Sequence, residues 1–127
     1  MLRTALLSLL LLPACVIVAS SHSVRTRQQL GASGQATVTI EWTAPPAVSV
    51  RIDNEGPGRV SYTALDAAGA TLDQGELGVA SRNLSWKRAD GKVLLVLRAG
   101  AQPATLELSC ASLESVKVAI DRTLAGN

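Results

Sequence analysis

From residue 36 onward the chain alternates apolar and polar residues with a period of two. Val38, Ile40 and Trp42 interleave with Thr37, Thr39, Glu41 and Thr43. Val48, Val50 and Ile52 interleave with Ser49, Arg51 and Asp53. Val60, Tyr62 and Ala64 repeat the pattern, Thr71 to Val79 carries it weakly, and Leu84 and Trp86 resume it. Ala104, Leu106, Leu108 and Cys110 form another such run, and Val116, Val118 and Ile120 the last. Successive side chains of a strand point to opposite faces, so each run predicts a strand with one buried and one wet face. Val93 to Leu97 is apolar at every position, which predicts a central strand covered on both faces.

Turn-forming residues separate the runs: Pro45-Pro46, Asn54 to Gly58, Asp66 to Gly69, and Asp90-Gly91. Asp90-Gly91 predicts a two-residue hairpin between Trp86-Lys87-Arg88 and Val93 to Leu97. Eight short runs at this spacing, with no helical apolar stripe after residue 35, predict an all-β fold. The expected architecture is an antiparallel two-sheet sandwich, immunoglobulin-like or jelly-roll-like, following an N-terminal signal segment. The disulfide-linked Cys…Trp…Cys signature of antibody-type domains is absent. Lys92, Arg98 and Lys117 are candidate guards of exposed sheet edges, although nothing local assigns them to an edge.

The first residues follow a different pattern. Arg3 precedes an apolar run from Ala5 to Leu12, broken only by Ser8, and Val16 to Ala19 continue it past Pro13. A basic start and a short apolar core read as an export signal. The run is too short, and too interrupted by Pro13, to span a bilayer comfortably as a helix. Ser20 to Gln35 is polar and contains Gly31 and Gly34, so it reads as a flexible linker.

Leu12-Pro13-Ala14-Cys15 resembles the lipobox of bacterial lipoproteins, which reads Leu, a small residue, Gly or Ala, then Cys. Leu12, Ala14 and Cys15 fit, and Pro13 departs from the pattern at a tolerant position. The resemblance covers only the first fifteen residues or so. It implies cleavage before Cys15, lipidation of Cys15, and anchoring to the membrane of a bacterial cell envelope. Two or three acyl chains hold durably where one holds weakly. The expected organisation is then a signal at 1–14, a tether at 15–35, a β-domain at 36–123 and a tail at 124–127. Ordinary signal cleavage near residues 19–23 is the alternative, and it yields a periplasmic or freely secreted domain.

Composition narrows the function. The 127 residues carry 12 Lys plus Arg against 10 Asp plus Glu, a formal charge of +2. Such a balance lacks the basic excess of a nucleic-acid binder. At 47% hydrophobic residues the chain is not disordered. His22 is the only histidine and lies in the polar linker, so it cannot serve as the rigid base of a catalytic triad. One His and two Cys cannot build a closed zinc site, and the acidic residues near Asp53 and Asp66 have turn or strand explanations rather than calcium ones. Trp42 and Trp86 share parity with apolar neighbours, which favours the core over a sugar-stacking platform. Cys110 falls at inward parity and reads as a buried, unpaired thiol. Asn83-Leu84-Ser85 matches the N-glycosylation pattern, which bears only on a eukaryotic source.

No catalytic, cofactor or metal residues are therefore assigned, and lipidation at Cys15 is the one predicted site. The expected function is a non-catalytic, lipid-anchored envelope domain that contacts an envelope polymer or protein. A secreted binding module or inhibitor is the alternative, and a carboxylate-dependent hydrolase the remote one.

Overall fold

The computed structural model describes the backbone of residues 15–123 and the side chains of 22–121. The strands are β1 (Cys15–Leu30), β2 (Gln35–Trp42), β3 (Val48–Pro57), β4 (Val60–Leu65), β5 (Thr71–Leu77), β6 (Ser81–Trp86), β7 (Lys92–Ala99) and β8 (Ala104–Thr123). All pairings are antiparallel, and the described residues contain no helix. The chain is thus all-β and antiparallel, as its alternation predicts.

The long strand β8 divides its pairing between two layers. Its first half, Ala104 to Ser112, pairs with β3, while Val116 to Thr123 pairs with β2. β1 follows β8 along both halves, with register shifts between Ile17 and Ala19 and between Ser21 and Ser23. The broad layer therefore runs β5-β4-β7-β2, then the second half of β8 and the first half of β1. The narrow layer runs β6-β3, then the first half of β8 and the second half of β1. Every connection except the β4–β5 hairpin crosses between layers. That arrangement is jelly-roll-like rather than immunoglobulin-like.

The core lies between the layers. Val38 and Ile40 of β2, Val50 and Ile52 of β3, and Leu95 and Leu97 of β7 are buried. Leu106, Leu108, Val116 and Val118 of β8 join them, so β8 keeps the same parity inward on both sides of its bend. Fully burying one such side chain contributes about 1.5–3 kcal/mol, and this core is built almost wholly from aliphatic residues. Trp42 is buried, and its indole N–H donates to the Pro46 carbonyl at 2.8 Å. Trp86 is half-buried and packs against the core.

Several expectations change. The polar tether expected from Cys15 to Gln35 is a strand over Cys15–Leu30, with Val24, Thr26 and Leu30 buried. Its sparse apolar residues conceal the period of two, and ladder hydrogen bonds to β8 hold it in place. The last two runs are one strand, because Ala111 to Ser115 contains neither Gly nor Pro to end it. The total of eight survives only because β1 is added and these two fuse.

Asp90-Gly91 does not close a hairpin, since β6 pairs with β3 while β7 pairs with β2 and β4. Gly91 instead adopts φ +59°, and its carbonyl accepts the Trp42 N–H at 2.8 Å. A Cβ there would lie 2.3 Å from the Trp42 carbonyl oxygen. Turn propensity is local, whereas strand pairing is decided by which inward faces complete the core.

β7 is central, as expected, but only Val93, Leu95 and Leu97 are buried; Leu94 and Val96 are half-exposed on the outer face. Lys92, Arg98 and Lys117 guard no edge, because β7 and β8 are interior strands. The segment Asn54 to Gly58 is turn-like only at its end, since β3 continues to Pro57. The signal at 1–14 and the tail at 124–127 lie outside the described residues.

Candidate functional site

One end of the sandwich gathers the loops 31–34, 58–59 and 100–103. Backbone hydrogen bonds tie these loops together: Ser33 N–H to Gly100 O at 2.7 Å, Gly58 N–H to Pro103 O at 2.9 Å, and Gly100 N–H to Arg59 O at 3.1 Å. Gly58 is required there, since a Cβ would lie 2.4 Å from the Gln102 carbonyl oxygen. Beneath them Asn54 is buried and fully engaged. Its amide donates to Gly58 O at 2.9 Å and Leu77 O at 3.0 Å, and its side-chain oxygen accepts the Gly56 N–H at 2.8 Å. Asn54 thus fixes the ends of β3 and β5 and the turn into β4. The sequence shows Asn54 only as a turn residue, because a buried role for one Asn depends on partners far along the chain.

This frame borders an open cleft of about 450 Å³. Arg59, Ser61, Glu76 and Arg98 line it, together with the loop from Gly100 to Gln102. Ser61 stands opposite both Glu76 and Arg98, and Arg98 stands opposite Gln35, so one cross-strand row reads Glu76, Ser61, Arg98, Gln35. Arg98 donates from Nε and Nη2 to Gln35 Oε1 at 3.2 and 2.7 Å, which fixes the plane of its guanidinium. Among the described residues, no hydrogen bond or ion pair engages the side chain of Arg59 or Glu76. Opposite charges therefore share one cleft without neutralising each other. The sequence offers Arg98 only as a candidate edge guard and gives no signal for Arg59 or Glu76, because the row exists only through pairing of β4 with β5 and β7.

Several other charged groups are engaged. On the outer face of the narrow layer, Arg27 lies 2.5 Å from Glu55 and Arg25 3.5 Å from Glu107. Arg51 Nε contacts Asp53 at 3.1 Å, and the Ser81 hydroxyl donates to the same carboxylate. The Ser81 hydrogen bond, with help from Arg51, holds the Asp53 carboxyl below its ordinary range. Asp66 caps its own turn by accepting from the Ala68 and Ala70 N–H groups at 2.9 and 2.8 Å. Burial pushes the Cys110 thiol up to about 12, which leaves it protonated and unreactive near neutral pH.

The predicted site Cys15 opens β1, opposite Asp121 of β8. Asp121 pairs with Thr37, and Thr37 with Val96. The Cys15 position therefore lies at the same end of the broad layer as the cleft, one same-face step along the strands from the Arg98 row. His22 is exposed and lies on β1, with Nδ1 3.1 Å from the Glu114 carbonyl oxygen at the opposite end.

No protein-family model and no curated protein matches this sequence. The fold does resemble solved structures. Cocosin, a coconut allergen, superposes with a TM-score of 0.51 at 20% identity, over 72% of this chain but only 22% of that one. PirA gives 0.53 at 19% identity, over 66% of this chain and 90% of that one. A structure of the disulfide-linked pili of Bacillus endospore appendages gives 0.52 at 12% identity, over 87% and 91% of the two chains. Likenesses at these identities place the chain among antiparallel β-domains and concern its fold alone.

Proposed function

We propose that the chain is an exported, non-catalytic β-domain, anchored to a bacterial envelope membrane through lipid on Cys15 and acting by contact. The observation that carries this reading is the register of β1. Cleavage before Cys15 leaves every β1–β8 pair intact, from Cys15 opposite Asp121 to Leu30 opposite Ala104. Cleavage near residues 19–23 strips β8 of its β1 partner over Val118 to Asp121, and at the later cuts over Val116 and Lys117 as well. A severed edge of that kind invites aberrant pairing. The lipobox-like Leu12-Pro13-Ala14-Cys15 favours the same cut.

Because Cys15 itself is paired with β8, a domain anchored there has no spacer and rests against the bilayer. A non-catalytic role fits the engaged state of Asp53, Asp66, Glu107 and Cys110, each already committed to structure. The partners are then the membrane and an envelope polymer or protein.

Metabolic labelling with a fatty-acid analogue tests the anchor. Wild-type protein takes up label, and Cys15→Ala does not. An intact mass beginning near residue 20–24 with no lipid added overturns the anchor and favours a freely secreted binding module.

A further inference from the structure

We propose that the cleft between Arg59, Glu76 and Arg98 binds the phosphate–ammonium headgroup of a phospholipid in the anchoring bilayer. This rests on the reading that Cys15 holds the chain at that membrane. The first support is charge. Arg98 is held in one plane by Gln35, and a planar guanidinium matches a phosphate with two parallel N–H bonds. Arg59, without a protein partner among the described residues, adds a second donor group.

The second support is Glu76. A site for a bare anion gains nothing from an unpaired carboxylate on its wall. A headgroup carrying an ammonium beside its phosphate uses both signs. Along the row, Glu76 and Arg98 flank Ser61, so their backbones stand about 10 Å apart at the usual strand spacing. Their side chains can approach a zwitterion from opposite sides, with the Ser61 hydroxyl between them.

The third support is position. Cys15 lies across β8 and β2 from β7, about 15 Å away at three strand spacings, and at the same end of the sandwich. A lipid anchor there turns the cleft toward headgroups and raises their effective concentration at it.

The test uses the mature protein in non-ionic detergent, followed by NMR at the backbone amides of Arg59, Ser61, Glu76 and Arg98. O-phosphoethanolamine should shift these amides and bind at least tenfold more tightly than inorganic phosphate. Arg59→Gln should weaken phosphoethanolamine at least tenfold. Glu76→Gln should remove the preference while retaining phosphate binding. Nanodiscs of phosphatidylethanolamine should reproduce the shifts, and nanodiscs of phosphatidylglycerol should not.

Equal affinity for phosphate and phosphoethanolamine, unchanged in Glu76→Gln, overturns the proposal. So does a response to the soluble probe with none to phosphatidylethanolamine nanodiscs. Unlabelled Cys15 with an intact titration of the cleft overturns the anchor alone. Unchanged thermal unfolding of both variants shows that lost binding is not lost folding.

Discussion

The two outer faces of the sandwich start from the same alternation and end differently. On the narrow layer, Arg25, Arg27 and Arg51 each meet a carboxylate: Glu107, Glu55 and Asp53. Their charges cancel in place, and the face is a solvated mosaic. On the broad layer, half-exposed Leu65, Leu94 and Val96 lie among threonines, with a cross-strand row of Lys92, Glu41 and Lys117 at one end and the row of Glu76 and Arg98, beside Arg59, at the other. There Arg59 and Glu76 share a cleft without pairing. The difference teaches that an exposed charge suggests a ligand only after register has left it uncancelled. Surface ion pairs stabilise little, so the narrow face is not a stability device either.

The largest test breaks the frame beneath both faces. Asn54→Ala leaves two carbonyls without their donor and one N–H without its acceptor in a buried site. It should cost about 3 kcal/mol and lower Tm by roughly 10–20 °C, read by thermal unfolding. A smaller loss is expected from Gly75→Ala on the broad layer. The new Cβ would lie 2.8 Å from the Tyr62 hydroxyl oxygen, which cannot retreat far because Tyr62 is buried. Overpacking of this kind costs about 1–3 kcal/mol, and chemical denaturation measures it.

On the cancelled face, Ser81→Ala should cost at most about 1 kcal/mol, because its bond to Asp53 is exposed. It should also change the acid response. The folded Asp53 has a depressed pKa, so its contribution is present above its ordinary value of 3.8 and is lost as pH falls below it. Wild-type unfolding monitored from pH 5 to pH 2 should show that loss, and Ser81→Ala should flatten it. The smallest stability effect belongs to the uncancelled charge. Arg59→Gln should change stability by less than about 0.5 kcal/mol, and so separates the cleft's binding from the fold's integrity. A large loss in that variant would show that Arg59 serves structure, and the contrast between the faces would fail.

Much of the fold was legible from the chain. Alternation at Val38-Ile40-Trp42 and Val48-Val50-Ile52 identified strands and their buried faces, because a period of two needs no knowledge of partners. The inward place of Cys110 and the turn role of Asp66 followed from equally local chemistry. In the sequence β1 looks like a tether because Val24, Thr26 and Leu30 are too few to show a period among arginines and glutamines. Asp90-Gly91 looks like a hairpin in the sequence because its turn preference is local and its strand pairing is not. The cleft was invisible for the same reason: Arg59, Glu76 and Arg98 are brought together by strands separated in sequence.

By itself, then, the sequence determined the class of secondary structure, the faces of most strands, the thin charge balance and the lipobox-like candidate at Cys15. The charge balance is a sum over the chain, and the other properties depend on residues one to four positions apart. Only the tertiary structure decided which strands are neighbours, that the polar segment after Cys15 completes a ladder, and which charges cancel. Those outcomes depend on register. Register is chosen by burying the aliphatic faces of all strands at once, and the charged outer faces are carried along with it.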